Sequence, residues 1–243
     1  MALVDYDDQS SRYDGGRDIS SDTAQLWMLH AQRHAPEAER ILDLGSGTGR
    51  WSAVLADAYD AEVVGVEPSA GMRGRAATKP HPKVRWVGGA AEHIPLADAS
   101  CDLAWLCSVI HHFYDLDAAA RELRRVVGRG GTVLLRSSFA GRVHPSLIRF
   151  FPGTQRIIDR MPSISQTIAA FQSAGFDRFY NESIEYKVGE SLAEMVPKIR
   201  LRADSTLELI SDEEFEQGLE LLVRTARVEH GPVLDSLDLL VLS

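Results

Sequence analysis

The amino-acid sequence predicts an α/β fold in which helices cover both faces of a doubly wound, mostly parallel seven-stranded sheet. Between residues 41 and 135, apolar runs typical of buried strands alternate with segments of helical periodicity, as such a sheet requires. The pattern begins at 41–50, ILDLGSGTGR, where an apolar run leads into three glycines on alternate positions and then into a helical run. Beyond Ser137 the alternation is interrupted by segments that we interpret as a helical lid and insertions.

The glycine-rich loop after the first strand predicts a bound ligand. Ligands of open α/β sheets bind at the carboxyl ends of the strands, where glycine permits positive φ and a close approach of the backbone. The spacing is G-x-G-x-G, because Arg50 stands where a dinucleotide-binding loop has its third glycine. The next apolar run, VVGVE, ends in Glu67, whose carboxylate can accept both hydroxyls of a ribose. This spacing favours a nucleoside with an attached amino acid over a dinucleotide.

Short apolar runs predict the strands, and capping residues ahead of amphipathic segments predict the helices. The first strand begins at Ile41, and the others are predicted over 62–66, 84–87, 102–106, 132–135, 176–188 and 237–242. Helices are predicted from Leu26 to the mid-thirties, over 50–59, from Pro68 and Ser69, and after the N-cap Asp115. Three capping boxes predict further helices, namely Ser163 with Gln166, Ser191 with Glu194, and Ser211 with Glu214.

Composition and charge narrow the classes of function. The chain has 243 residues, 44% hydrophobic and 25% charged, enough for one core with a small cap. The net charge of −9 argues against a nucleic-acid partner, because such a surface repels phosphate backbones. The first twenty residues are polar, without the apolar segment of a signal peptide, and no later apolar run is long enough to cross a membrane. Cys101 and Cys107 cannot form a disulfide framework, which suits a reducing compartment. We therefore expect a soluble, cytoplasmic protein.

Five sequence blocks, in order, resemble one known family. They are D-L-G-S-G-T-G, V-G-V-E-P-S, G-A-A-E-H-I-P, S-C-D-L-A-W and E-L-R-R-V-V-G-R-G-G. Together they resemble the class I S-adenosylmethionine-dependent methyltransferases of the small-molecule branch, well over 41–136 and loosely elsewhere. The resemblance implies a Rossmann-like sheet, S-adenosyl-L-methionine as cofactor and transfer of its methyl group to a small molecule.

The resemblance also implies a division of the chain. Residues 1–22 are expected to form an N-terminal lid over the cofactor, although a frayed terminus is the alternative. Residues 23–243 form a single methyltransferase domain, with the cofactor-binding half at 41–137. The segments 138–162 and 189–235 are expected to share one substrate pocket as its cap.

The residues expected to contact the cofactor cluster around the glycine loop and the ends of the neighbouring strands. They are Asp43, Gly45, Ser46, Gly47, Gly49, Glu67, Pro68, Met72, Ala91, Glu92, Cys107 and Arg17. Backbone N–H groups of the loop can receive the amino-acid portion, and Asp43 behind them can order the loop and attract the ammonium group. Structural support by Asp43 is the alternative, and it is compatible with that role. Met72 either packs on the adenine face or belongs to the core. In the family, the positions of Ala91 and Glu92 read the adenine edge, and Ala90 replaces an aspartate that is frequent there.

His111 and His112 are the candidate catalytic residues, because they directly follow the fourth strand at the edge where the methyl group is expected. Histidine titrates near neutral pH, which suits a general base for the acceptor's proton. The alternative is that one of them orders the loop or caps the next helix. We assign no metal, since adjacent histidines with Cys107 nearby lack a third ligand that would converge on the ion.

Basic residues concentrate in the two predicted cap segments of an otherwise acidic chain. Between 136 and 160 the charged residues are Arg136, Arg142, Arg149, Arg156 and Arg160 against Asp159 alone, and Lys198, Arg200 and Arg202 follow later. Such a reversal of charge can attract an anionic acceptor, which predicts substrate contacts from Arg149 and Arg200. Tyr6 and Tyr13 of the N-terminal lid would then close over an aromatic part of that acceptor. The alternative is that these arginines face solvent and pair with acids elsewhere.

These observations favour a methyltransferase for a small acceptor, such as a secondary metabolite or an aromatic or carboxylic acid. The enzyme alternative is a protein or RNA methyltransferase, and the chain lacks the [DNS]-P-P-[YF] motif with which nucleic-acid enzymes hold a planar amine. The other alternative is a non-catalytic cofactor-binding subunit. The acceptor atom (O, N or C) and the choice between monomer and homodimer stay open.

Overall fold

A computed structural model describes residues 13–16, 19–143 and 145–243 of the chain. The strands are β1 (Arg40–Leu44), β2 (Glu62–Val66), β3 (Val84–Val87), β4 (Leu103–Cys107), β5 (Thr132–Ser137), β6 (Phe179–Gly189) and β7 (Val233–Leu242). They form one sheet in the order β3-β2-β1-β4-β5-β7-β6. Neighbours from β3 to β5 pair in parallel, whereas β7 is antiparallel to both β5 and β6. The predicted doubly wound, mostly parallel sheet is confirmed.

Helices follow the strands in alternation and then fill the insertions. They are α1 (Ser21–His34), α2 (Arg50–Tyr59), α3 (Ala70–Ala77), α4 (Leu116–Val127), α5 (Pro145–Ile148), α6 (Thr154–Ile158), α7 (Ile164–Ser173), α8 (Leu192–Arg200), α9 (Ser205–Glu208) and α10 (Asp212–Thr225). The predicted N-cap Asp115 is confirmed, since its carboxylate accepts from the Ala118 N–H at 2.9 Å. The capping boxes at Ser163 and Ser211 are both complete.

Alternate residues of the strands pack on opposite faces of the sheet, as the two-residue period of a strand dictates. On one face Leu42 and Ala104 pack with residues of α4 and α7. On the other face Ile41 and Leu103 pack with α1 and α2, including the fully buried Trp27. The central strands are therefore covered on both faces, which explains their continuous apolar sequences.

The insertions after β5 and β6 share a separate small core. Phe150 and Phe151, which precede α6, pack with Leu192 of α8 and with Phe215 and Leu219 of α10. The Phe151 and Phe215 rings stack with centroids 5.7 Å apart. This cap core holds the two insertions together beside the strand ends. Within the described ranges, every helix falls short of the length and apolarity that a bilayer crossing requires.

Two local predictions are wrong in detail. The Ser191 hydroxyl accepts from the Glu194 N–H at 3.3 Å, but the Glu194 carboxylate accepts from the Glu190 N–H instead of completing the capping box. Glu194 also pairs with Lys198 at 3.0 Å. Pro68 lies before the N-cap Ser69 and not in the first turn of α3.

Candidate active site

The sheet reverses its order between β1 and β4, and the loops after these two strands meet at their carboxyl ends. Such a switch point is where ligands of open α/β sheets bind. The glycine loop after β1 is tied to β2 by the Gly45 N–H, which donates to the Val66 carbonyl at 2.7 Å. After β4, Ser108 and Val109 lead into a 3-10 turn, Ile110–His112. The candidate site therefore lies between two short loops whose positions the sheet determines.

The loop needs glycine for conformation and for space. Gly45, Gly47 and Gly49 have φ values of 70°, 55° and 76°, which side chains disfavour. A Cβ on Gly45 would lie 2.5 Å from Cγ1 of Val109, so the two loops could not approach each other as they do. A Cβ on Gly47 would meet no protein atom within 4 Å. Gly47 thus leaves its space to the cavity that it lines.

Glu67, at the end of β2, is a buried carboxylate with backbone partners. It is 7% exposed, and its two oxygens accept from the N–H groups of Gly47 at 3.0 Å and Ser69 at 2.9 Å. Each carboxylate oxygen can accept more than one hydrogen bond, so these two backbone contacts do not by themselves prevent a ligand hydroxyl from donating to it. Glu67 therefore both orders the glycine loop and suits the ribose contact predicted for it.

Asp43 lies behind the loop. It is 2% exposed, and its Oδ2 accepts from the Ser52 hydroxyl at 2.7 Å. Burial raises the pKa of Asp43 to about 7, the Ser52 hydrogen bond lowers it, and the nearby Glu67 charge adds to the rise. Asp43 does not belong to the lining of either cavity described below. Asp43 thus contacts the first turn of α2 behind the loop, and its contact with an ammonium group stays a prediction.

We call the cavity at the glycine loop the loop cavity. It is lined by Tyr13, Leu44, Gly45, Gly47, Glu67, Pro68, Met72, Gly89, Ala90, Ala91, Glu92, Cys107, Ser108, Val109, His112 and Phe113. Ser46 and Gly49, which were predicted to contact the cofactor, are not among the residues that line this cavity. Arg17 falls outside the described residues. Glu92 also accepts from the Tyr114 N–H at 2.6 Å, so it joins the cavity wall to the start of α4.

The described residues fit the expected S-adenosylmethionine. Gly47 leaves space that a Cβ would fill, and Glu67 offers buried acceptor oxygens for ribose hydroxyls. Met72 is 1% exposed yet borders the cavity, which suits packing on a flat apolar ring. The chemistry of the donor set is therefore that of a nucleoside site, with backbone groups around it.

The two candidate histidines have different surroundings. His112 lines the loop cavity, and burial lowers its pKa to about 4, so its ring is neutral at pH 7. His111 Nε2 lies 3.2 Å from the Ser205 hydroxyl at the start of α9. The two rings are in contact, with centroids 3.9 Å apart. His112 thus belongs to the cofactor side, whereas His111 connects this turn to the second insertion.

We call the adjoining space the cap cavity. Its lining comes from seven parts of the chain. These are the N-terminal segment (Gly16, Ile19, Ser20, Thr23); the start of α2 (Arg50, Trp51); Ser108; the end of β5 (Arg136, Ser138); the first insertion (Ser146, Ile158); part of 186–206; and β7 (Asp235, Leu237). Both predicted cap segments contribute to it. Ser108 lines this cavity and the loop cavity. The two spaces therefore meet at the carboxyl end of β4.

The N-terminal segment reaches the site through its described residues 13–16. Tyr13 lines the loop cavity, and the Arg50 guanidinium lies 5.1 Å from its ring centroid. The Thr48 hydroxyl and the Lys79 ammonium both donate to the carboxylate of Asp14. Tyr13, predicted to contact substrate, is thus placed on the cofactor side. Tyr6 lies outside the described residues.

Four of the arginines expected to attract an anion form ion pairs with acids elsewhere in the fold. The ion pairs are Arg142–Asp238, Arg149–Glu229, Arg156–Glu214 and Arg202–Asp212. Arg149 and Arg200 line neither cavity, so the structure does not bring these two predicted substrate residues to the site. The four paired arginines thus follow the alternative prediction, in which they pair with acids elsewhere in the fold.

Three site residues were not singled out from the sequence. Ser108 has a φ of 56°, a left-handed conformation that is uncommon for residues other than glycine, and no sequence motif predicts this conformation. Arg136 appeared only as one member of a charge cluster, although its place at a strand end was a usable signal. Asp14 lies 34 positions before its partner Thr48, too far for spacing to indicate the contact. No cluster of three or more metal-ligating side chains occurs within the described ranges.

Comparison with known proteins agrees with this geometry. A family model for the methyltransferase domain matches residues 42–135. The ubiquinone/menaquinone biosynthesis C-methyltransferase UbiE of Rubrivivax gelatinosus is 39% identical over 128 residues, 51% of each chain. The matched region thus spans about half the length of that relative. The demethylmenaquinone methyltransferase of Clavibacter sepedonicus is 32% identical over 185 residues, 74% of this chain and 73% of that protein.

A solved structure from Anabaena variabilis, assigned as a methyltransferase of an antibiotic biosynthesis pathway, is also similar. It has a TM-score of 0.70 and 25% identity and covers 90% of this chain and 97% of its own. The similarity extends through the cap segments, beyond the residues matched by the family model. With the glycine loop, Glu67 and the switch-point cavity in place, the chain belongs to the class I S-adenosylmethionine-dependent methyltransferases.

Proposed function

We propose that this chain transfers a methyl group from S-adenosylmethionine to a small-molecule acceptor bound in the cap cavity. The single observation that carries the proposal is that Ser108 lines both cavities. Donor and acceptor would then meet at one strand end, which is the arrangement that a direct displacement needs. The antibiotic-pathway assignment of the Anabaena relative supports an acceptor among secondary metabolites.

The chain's own residues would act mainly by positioning. When bound, S-adenosylmethionine supplies an activated methyl group, so positioning and exclusion of water account for most of the protein's contribution. Glu67 and the glycine loop would hold the nucleoside, and Tyr13 would cover the cavity from the N-terminal side. The cap core would keep the two insertions over the acceptor.

His112 is the residue that we assign to the acceptor's proton. Because its pKa lies at about 4, its imidazole is neutral at pH 7 and can accept a hydrogen bond from an O–H or N–H group. Such a weak base suits an acceptor whose proton becomes acidic only as the new bond forms. His111, beside the Ser205 hydroxyl, would orient the His112 ring across their contact.

A small acceptor is favoured over a protein or RNA because the cap cavity is formed by the chain's own helices and terminal residues. The free thiols of Cys101 and Cys107 also suit the reducing cytoplasm that we propose as its compartment. The experiment is incubation of the protein with methyl-labelled S-adenosylmethionine and, separately, with pools of phenols, carboxylic acids and amines, with total protein, or with RNA. Label in a small-molecule pool, reduced with Glu67→Ala at a limiting concentration of S-adenosylmethionine, supports the proposal. Label in protein or RNA, or no label in any pool, contradicts it.

A further inference from the structure

Arg136, at the carboxyl end of β5, carries a buried guanidinium that borders the cap cavity. The residue is 6% exposed and lines that cavity. Three aromatic rings surround the guanidinium carbon, with centroids at 4.4 Å for Trp27, 5.5 Å for Trp51 and 5.3 Å for Tyr186. Such distances are those of cation–π contacts, which fix the position of the group without neutralising its charge.

Within the described ranges, no carboxylate lies at ion-pair distance from Arg136. Its Nη1 lies 3.1 Å from Sγ of Cys107, a weak acceptor, and its Nε has no hydrogen-bond partner among the described residues. A guanidinium has five N–H donors, and burying its charge without an anionic partner costs free energy. The arrangement is therefore unfavourable for the protein alone and favourable once an anion is bound.

The acidic side chains of the cap cavity are committed elsewhere. Asp204 accepts from the Thr206 N–H at 2.8 Å. Glu190 pairs with Lys187 at 2.5 Å, and Glu194 pairs with Lys198 at 3.0 Å. Asp235 accepts from the Ser146 hydroxyl and, at 2.8 Å, from the Ser236 N–H. These contacts keep the acids on their own helices and strand. The cavity thus combines satisfied carboxylates with a guanidinium that lacks an acidic partner in the part of the chain described.

We propose, resting on the proposed function, that Arg136 binds a carboxylate or phosphate group of the acceptor, which makes this a methyltransferase for small organic anions. Arg136 stands opposite Cys107 in the sheet, and Cys107 lines the loop cavity. An anion held at Arg136 would therefore lie next to the cofactor, and the rest of the acceptor would extend into the cap cavity. The planar fork of the guanidinium suits either anion through paired N–H donors.

The test is calorimetry on protein saturated with S-adenosylhomocysteine, with benzoate and phenyl phosphate as anionic probes and benzamide as their neutral match. We expect at least one anion to bind wild type more tightly than benzamide, and Arg136→Met to weaken that anion about tenfold or more. Arg136→Lys, which keeps the charge and loses the fork, should weaken it less. The matched control is Arg129→Met, at the exposed opposite end of β5, and should change nothing.

Two further readouts separate the possible failures. If neither anion binds better than benzamide, or if anion binding survives Arg136→Met, the proposal is overturned while the methyltransferase function stands. If Arg136→Met weakens S-adenosylhomocysteine itself, the anion is the cofactor's own carboxylate and the acceptor assignment is wrong. If wild type does not bind S-adenosylhomocysteine, the proposed function fails first.

Unfolding in urea gives a readout without any ligand. Arg136→Met should unfold at the same or a higher midpoint than wild type, because it removes a buried charge without an acidic partner. Phenyl phosphate should raise the midpoint of wild type but not of the variant. A clearly lower midpoint in Arg136→Met, with no response of wild type to the anion, would mean that the guanidinium only supports its three rings.

Discussion

The loop cavity and the cap cavity adjoin at Ser108 but are built in different ways. The loop cavity is lined by the glycine loop and by residues at the ends of β2, β3 and β4, within 44–113, together with Tyr13. The cap cavity collects residues from the N-terminal segment, from β5, β6 and β7 and from both insertions. The comparison shows that a site built by loops at neighbouring strand ends depends on the conformation of those loops, whereas a site built from distant segments depends on packing and charge pairing.

The largest effect is expected at the loop, from Gly45→Ala. The new Cβ would clash with Val109 at 2.5 Å and the residue would keep a positive φ. We expect cofactor affinity to fall more than about a hundredfold, since misplacement on the order of 1 Å can have such an effect. The free energy of unfolding should fall by roughly 2–4 kcal/mol.

Gly47→Ala is the matched control for that variant. It introduces similar backbone strain, a cost of roughly 1–2 kcal/mol, but no protein clash. Urea unfolding of both variants separates the Val109 clash from the backbone strain. Calorimetry does not separate them, because the Cβ of Gly47→Ala would occupy space in the loop cavity. Equal losses of stability in the two, or no rescue of Gly45→Ala by Val109→Ala, would contradict the account of two touching loops.

The second largest effect is expected at His112, which lines the loop cavity. His112→Ala should lower kcat about a hundredfold with cofactor affinity retained, whereas His111→Ala should lower it less. Because the pKa of His112 is about 4, it gives the rate no inflection near pH 6.5, and activity that depends on its neutral ring should fall only as the pH approaches 4. Steady-state rates between pH 4 and 9 check this. An inflection near 6.5 that disappears in His112→Ala would show that the ring is not buried as described.

Glu67→Ala should weaken S-adenosylhomocysteine by about ten- to a hundredfold, because a charged acceptor is lost from a buried site. Glu62→Ala, at the exposed start of the same strand, is the control and should leave the affinity unchanged. Calorimetry measures both. If Glu67→Ala binds S-adenosylhomocysteine as tightly as wild type, the assignment of Glu67 to the ribose hydroxyls is wrong.

A smaller effect is expected from Asp43, behind the loop. Its pKa rises from 3.8 to about 7 on folding, so the folded state holds this proton more tightly than the unfolded state. The stability that this provides is present below pH 3.8 and is lost as the pH rises through about 7. Between pH 5 and 8 the free energy of unfolding should fall by roughly 2 kcal/mol in wild type. Asp43→Asn should remove this slope in urea unfolding, and an unchanged slope would contradict the assignment.

The smallest effect is expected on the surface of the cap. Arg149 pairs with Glu229 at an exposed position outside both cavities. Arg149→Ala should therefore change stability by less than about 1 kcal/mol and leave acceptor KM unchanged at low and high salt. A salt-dependent rise in KM for this variant would restore Arg149 as a substrate residue.

The sequence by itself determined the features that are formed by residues close together in the chain. The spacing from Gly45 to Glu67 predicted the loop, its strand and its ligand class, because a β–loop–α corner is short and its backbone geometry limits which residues fit. The helix N-caps Asp115, Ser163 and Ser211 were also predicted from the sequence, because a capping residue and its hydrogen-bond partner are only three positions apart. The doubly wound class of the sheet followed from the alternation of the two periodicities, whereas its strand order came from the structure.

Only the tertiary structure decided which charged residues face a ligand. Arg136 and Arg149 have the same side chain and similar acidic-poor surroundings in sequence, yet one is buried among Trp27, Trp51 and Tyr186 and the other pairs with Glu229. Their partners lie between 50 and 109 positions away, and no local pattern encodes such distances. The interaction of a charge is set by what packs against it, and packing of distant elements is a property of the whole fold.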